Sequence, residues 1–153
     1  MPQYNLKLGT EADLLEVIDR VEEAFREAPY NLPFSSERTE QVLRDVLKNG
    51  VIICLLNEHT QIVGVFIALR TILATSLEPV ASELLWYVHP AYRKSRGALE
   101  LLAAFEYWAT EVAKVGTLIL GNMQNNFSEK THRLYLRKGY QLAEQTYVKK
   151  VNN

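Results

Sequence analysis

The residues from Glu83 to Leu102 constrain the fold more than any other part of the sequence. Val80 to His89 is apolar on both faces, as in a central strand, and Pro90 stops it. Three cations and a hydroxyl follow at residues 93–96. Apolar residues then recur at helical spacing from Ala98 to Val115. A strand, a basic turn and a helix in this order present backbone N–H groups and positive charge to a phosphate.

The rest of the chain predicts helices interleaved with strands. In chain order we expect a strand at 3–8, a helix capped by Thr10, and a second helix capped by Ser35 or Ser36. A hairpin of strands 51–56 and 62–71 follows, and then the strand and helix described above. The chain should end with a strand at 117–120, a helix at 129–138, and a last strand or strand pair at 140–151. The length of 153 residues suggests one domain, covering 1–153. This order predicts an α/β (α+β) domain with a mixed central sheet flanked by helices.

Composition excludes several classes of function. The net charge is −1, so the chain as a whole is not an electrostatic nucleic-acid binder. No apolar run is long enough to cross a bilayer, and we expect no membrane partner. Cys54 is the single cysteine, which rules out an internal disulfide and fits a cytoplasmic protein. With one cysteine and three scattered histidines, no metal-ligand spacing appears, so no metal is expected.

The basic turn has features of an anion site. The first N–H groups of a helix lack intrahelical partners, and the helix dipole is positive there. Gly97 and Ala98 carry little or no side chain, so a ligand has room to approach the backbone. A solvated basic loop at the start of a helix is the alternative interpretation.

The element order and this turn resemble the GNAT superfamily of N-acetyltransferases. The superfamily has a pyrophosphate loop of the form Arg/Gln-x-x-Gly-x-Gly/Ala. Arg93 and Ala98 match that form, and Arg96 replaces its first glycine. The resemblance implies that acetyl-CoA is the cosubstrate and that its pantetheine amides pair with the backbone of β-strand residues. The residues that it implies for cofactor binding are Trp86, Tyr87, Val88, Arg93, Lys94, Ser95, Arg96, Gly97, Ala98 and Ser128.

A second motif, Leu134-Tyr-Leu-Arg-Lys-Gly-Tyr140, is similar to the superfamily signature Leu/Phe-Tyr-x-Lys-x-Gly-Phe/Tyr. The match implies that Tyr135 protonates the leaving thiolate, and a core aromatic is the alternative. Glu83 is the best-placed candidate base, because burial in an apolar strand would raise its pKa. An edge glutamate facing solvent is the alternative there. The resemblance also assigns acceptor recognition to the segment holding Tyr30 and Phe34, which otherwise covers the core.

Together these features predict an enzyme, an acetyl-CoA-dependent N-acetyltransferase that acts on a primary amine of a small molecule or protein. The amine would attack directly in a ternary complex. A catalytically inactive CoA-binding or protein-interaction module of the same fold is the alternative, motivated by Arg96. A homodimer is a further possibility, in which the apolar segment from Tyr140 to Val151 would pair across a two-fold axis.

Overall fold

A five-stranded sheet runs through the part of the chain that the structure describes, residues 5–125 and 127–151 of a computed structural model. The strands lie in chain order, as β1 Asn5–Leu8, β2 Gly50–Leu56, β3 Ile62–Ile72, β4 Pro79–Val88 and β5 Leu118–Ile119. The first four are antiparallel, and β5 is parallel to β4. The predicted hairpin of β2 and β3 and the mixed sheet are confirmed. Residues 3 and 4 of the expected first strand lie outside the described part.

Four α-helices flank this sheet: α1 Leu14–Glu27, α2 Ser36–Asn49, α3 Gly97–Tyr107 and α4 Ser128–Arg137. Two predicted caps are confirmed. The Asp13 carboxylate accepts the Thr10 N–H at 2.8 Å, and the Ser35 hydroxyl accepts the Arg38 N–H at 3.1 Å. No helix in the described ranges is long and apolar enough to span a membrane.

The helices bury the two faces of the sheet in separate cores. On one face, residues of α1 and α2 such as Val17 and Val46 pack with Ile52 and Val65. Cys54 is fully buried in this core, and burial raises the pKa of its thiol to about 12. On the other face, Phe66 of β3 stacks on Phe105 of α3 with ring centroids 4.5 Å apart.

Two elements differ from the prediction. The helix expected to run to Val115 is α-helical only to Tyr107, and residues Trp108–Val112 form a π turn. The segment 140–151 forms no strand and is largely exposed. The edge strand β5 is two residues long and therefore offers almost no edge for pairing.

Candidate functional site

The sheet opens between β4 and β5. The two strands pair only at Ala81 with Leu118 and at Ser82 with Ile119. Beyond these pairs, no strand of the described part lies beside β4 on that side. The His89 N–H donates to Val63 O of β3 at 2.8 Å. Because backbone groups alternate in direction along a strand, those of Trp86 and Val88 point into the opening. The groups predicted to meet the pantetheine therefore lie at an edge of β4 that no other described strand pairs with.

A β-bulge decides which way Glu83 points. Across the β3–β4 pair, Ile67 is opposite Leu85 and Ala68 is opposite Glu83, so Leu84 is the extra residue. The bulge reverses the alternation of side chains. As a result Glu83 shares the α3/α4 face with Trp86 rather than facing the opposite way.

Glu83 and Tyr135 meet at the backbone of one residue, Gly121. The Gly121 N–H donates to Glu83 Oε2 at 2.6 Å, and the Tyr135 hydroxyl donates to Gly121 O at 2.9 Å. Gly121 follows β5, so this residue lies at the mouth of the opening. The structure thus brings together the two residues that the sequence singled out separately. Gly121 was missed, since a glycine in a loop carries no chemical signal of its own.

Burial shifts the pKa of both side chains. It raises the pKa of Glu83 from 4.5 to about 7, opposed by the hydrogen bond from Gly121 and by the backbone of Trp86. Burial, and then the charge of Glu83, raises the pKa of Tyr135 well above its usual 10. Near neutral pH, Glu83 is able to take up a proton and Tyr135 keeps its own.

Aromatic packing fixes Tyr135. Its ring stacks near Trp86 at 6.2 Å and lies 5.6 Å from Tyr140. The Tyr140 hydroxyl donates to Glu106 of α3 at 2.9 Å, which ties the end of α4 to α3. The buried Trp86 Nε1 has no hydrogen-bond partner among the described residues.

The basic turn leaves two cations exposed. Lys94 and Arg96 form no ion pair within the described part of the chain. Arg96 has φ −69° and ψ −13°, an ordinary helical conformation, so replacing the family's glycine requires no left-handed backbone here. The Ser95 hydroxyl donates to Tyr92 O at 2.7 Å and lies 3.3 Å from the Gly97 N–H, which closes the turn. Ala98 follows, half-buried, in the first turn of α3.

Packing explains Gly97 without a ligand. A Cβ there would lie 2.6 Å from Leu55 Cδ2, and Leu55 is fully buried. The glycine lets α3 pack closely on β2. This packing alone explains a glycine at position 97, without the expected approach of a ligand to the backbone.

Arg93 is committed to other partners. Its Nε donates to Val88 O at 2.6 Å, and its Nη2 lies 2.7 and 2.8 Å from the two carboxylate oxygens of Glu27. The guanidinium also lies over the rings of Tyr87 and Phe127, at 5.3 and 5.6 Å. The structure therefore brings Arg93 to the free edge of β4 and the end of α1, and it leaves Lys94 and Arg96 as the unpaired cations of the turn.

The remaining predicted site residues lie further out. Phe34 packs on Phe25 at 5.5 Å and covers the α1/α2 core, while Tyr30 is 40% exposed. Phe127 is the N-cap of α4, and Ser128 is the first residue of that helix. Its hydroxyl donates to Asn125 O at 2.9 Å. In residues 5–125 and 127–151, no group of three or more side chains is able to hold a metal ion.

Solved structures with a similar architecture include several acetyltransferases. An aminoglycoside N-acetyltransferase, AAC(6')-Iy in complex with CoA, matches with a TM-score of 0.73 and 11% identity over 100% of this chain and 97% of that one. The chain has the fold of the GNAT acetyltransferases. The ribosomal-protein-alanine N-acetyltransferase from Brucella melitensis matches with a TM-score of 0.73 and 16% identity, over 97% and 99% of the two chains.

A GNAT family acetyltransferase from Staphylococcus aureus matches with a TM-score of 0.65 and 14% identity, over 99% of this chain and 100% of that one. No family model matches the sequence, and no curated protein matches it. The resemblance noted in the sequence is thus confirmed as a likeness of fold.

Proposed function

We propose that the protein is an acetyl-CoA-dependent N-acetyltransferase that acts on a primary amine. The observation that carries this proposal is the backbone of Gly121, which binds both Glu83 and Tyr135 at the open end of β4 and β5. The acetyltransferase fold and a neighbour in complex with CoA support it.

The residues at the opening fit the parts of acetyl-CoA. The exposed cations Lys94 and Arg96 stand at the N-terminus of α3, where a pyrophosphate finds unpaired N–H groups. The edge of β4 at Trp86 and Val88 has no strand partner among the described residues, and it suits the pantetheine amides once Arg93 leaves the Val88 carbonyl. The turn is shaped by Ser95, Gly97 and Ala98. The end of β4 just before the turn is held to α1 because the Tyr87 hydroxyl donates to Glu23 at 3.0 Å.

Glu83 is the proposed base. A neutral amine attacks a thioester through its lone pair and must lose one proton as the amide forms. The Glu83 carboxylate, whose acid has a pKa of about 7, accepts one proton near neutral pH. The amine nitrogen bonds to the acetyl carbon as the carbon–sulfur bond breaks, and its surplus proton goes to Glu83, directly or through a water. Bound acetyl-CoA would supply the activated acetyl group.

Tyr135 is the proposed hydrogen-bond donor to the departing sulfur. Its raised pKa keeps the phenol protonated, so it stabilises negative charge on the sulfur. A thiol is the stronger acid, with a usual pKa of about 8.5, so full protonation of the thiolate is completed by solvent. This role is narrower than the general acid that the sequence motif implies. To perform it, the hydroxyl must leave Gly121 O.

The acceptor is proposed to enter near the segment joining α1 and α2. Tyr30 is exposed there and free to contact a small-molecule or protein amine, whereas Phe34 supports the segment from the core side. Substrate-binding roles for both residues follow from the resemblance alone.

One observation favours the alternative, a non-catalytic module of the same fold. Arg93 already binds the Val88 carbonyl, one of the groups proposed to receive the pantetheine. An enzyme needs this contact to open when acetyl-CoA binds, whereas an interaction module keeps it closed.

We also propose that the protein forms a homodimer through residues 140–151. Apolar and polar residues alternate in part of this segment, which exposes Leu142, Tyr147 and Val148 and pairs with no strand among the described residues. The outer edge of β5 is also unpaired, so tails exchanged between two copies would satisfy both. Light scattering should give twice the chain mass for the wild type, and a lower mass for Tyr147→Lys. A monomeric wild type contradicts this part of the proposal.

Acetyl transfer to a panel of primary amines, followed by release of the CoA thiol, tests the function. Tyr135→Phe should lower kcat by about a hundredfold while the rise in Tm with acetyl-CoA stays nearly unchanged. Tyr107→Phe is the matched control, because Tyr107 is 66% exposed. If neither CoA nor acetyl-CoA raises the Tm or gives binding heat, the proposal fails. Binding without transfer to any amine supports the non-catalytic module.

A further inference from the structure

A pocket of about 300 Å³ opens on the opposite end of the sheet from the basic turn. Its walls come from the end of α2, the end of β3 and the π turn that follows α3. Along β3, Gly64 lies opposite Val88 of the proposed site, and Arg70 of this pocket lies six residues further on. At about 3.3 Å per residue, roughly 20 Å of strand separates the two places.

The polar side of the pocket is a fixed guanidinium beside a second cation. Arg70 Nε donates to the Ala113 carbonyl at 3.0 Å. That carbonyl is free to accept because it lies at the end of the helical segment. The contact fixes the guanidinium plane, and both Nη groups stay unpaired among the described residues. Lys48 at the end of α2 likewise has no ion pair there.

The other side of the pocket is apolar. Trp108 is half-buried, and its ring lies 6.4 Å from that of Phe105, which supports it from the core. Val112, one turn on, is 63% exposed. The π turn sets both residues against the two cations. A wall of this kind contributes nothing to binding an inorganic anion, but it suits an apolar group attached to one.

We propose that this pocket binds an organic carboxylate that carries a flat or branched apolar group. The two unpaired Nη groups of Arg70 match the two oxygens of a carboxylate, and Lys48 supplies a second charge-assisted contact. The apolar group of the ligand lies against Trp108 and Val112. A free small acid and the C-terminal carboxylate of a peptide share this chemistry.

Titration of the isotope-labelled full chain, followed by NMR chemical shifts, tests the proposal. The probe is 3-phenylpropionate, and its neutral amide, 3-phenylpropionamide, is the control ligand. We expect saturable shifts at the Trp108 indole and the Ala113 amide with the acid and none with the amide. Tighter binding of acetyl-Ala-Phe with a free carboxylate would identify a peptide terminus as the source, and tighter binding of the free acid a small molecule.

Three variants sharpen the test. Lys48→Gln and Arg70→Lys should each weaken binding of the acid at least about tenfold, the second because it keeps the charge but loses the fork. Arg38→Gln, which removes an exposed guanidinium elsewhere on α2, should leave the affinity unchanged. The Lys48 side chain has no hydrogen bond or ion pair with the described residues, so its variant should fold whatever Arg70→Lys does. Equal binding of the neutral amide, no saturable shift, or full affinity in Lys48→Gln would overturn the proposal.

Discussion

Replacing Glu83 with glutamine should make the protein more stable at alkaline pH while removing its proposed base. Burial raises the pKa of this carboxyl from 4.5 to about 7. The pKa rises by about 2.5, and a change of one in pKa corresponds to about 1.36 kcal/mol. The cost of ionising Glu83 in the folded state is therefore at most about 3.4 kcal/mol. Because the side chain is partly exposed to solvent, we expect about 1–2 kcal/mol.

The pH window follows from the two pKa values. Below pH 4.5 both folded and unfolded states are protonated at Glu83, and the penalty is absent. As the pH rises from 4.5 to about 7, the unfolded state ionises first and the folded state loses stability. Glutamine never ionises, yet its side-chain oxygen is still able to accept the Gly121 N–H. The gain from Glu83→Gln should therefore appear only above pH 4.5 and level off above about 7.

Urea unfolding followed by far-UV circular dichroism measures this gain at pH 4.5 and at pH 8. Glu78→Gln is the matched control, because Glu78 is an exposed carboxylate just before β4. We expect the control to change the free energy of unfolding little at either pH. A Glu83→Gln protein that is no more stable than wild type at pH 8, or equally stabilised at both pH values, would refute the assignment of a buried, high-pKa carboxyl.

Two further predictions concern packing and the β4 edge. Gly97→Ala should lower the free energy of unfolding by about 1–3 kcal/mol, because the new Cβ meets Leu55. Gly116→Ala is the control and should be nearly neutral, because nothing lies within 4 Å of a Cβ there. Equal losses for the two variants in urea unfolding would contradict the packing argument. Arg93→Gln should lower the free energy of unfolding by about 1 kcal/mol, because the ion pair with Glu27 is lost. The affinity for acetyl-CoA should be equal or higher, because the Val88 carbonyl is freed. Weaker binding of acetyl-CoA in calorimetry would instead indicate that Arg93 is a phosphate ligand.

The helices, the hairpin and the strand–turn–helix segment were predictable from local patterns. Thr10 and Ser35 cap where expected, and the apolar periodicity of α1 and α2 is regular enough to locate both helices. Gly139 adopts φ 92° just after α4, as a residue that ends a helix often does. These are short-range signals, carried by residues a few positions apart.

The side chain of Glu83 could not be oriented from sequence. Its direction depends on the bulge at Leu84, which arises from the register between β3 and β4 and leaves no mark in either strand. The commitment of Arg93 to Glu27, 66 residues away, is equally non-local. The segment 140–151 has the composition of a strand, but a strand needs an edge to pair with, and its own chain supplies only two residues in β5.

Calorimetric titration of acetyl-CoA tests most directly the claim that the opening between β4 and β5, with the basic turn beside it, is the cosubstrate site. The account predicts clear binding heat for the wild type and affinity weaker by about tenfold or more in the Lys94→Gln/Arg96→Gln double variant. Lys130→Gln, which removes an exposed cation from α4, should bind like the wild type. An absence of binding heat, or equal affinity in the double variant, would contradict the claim.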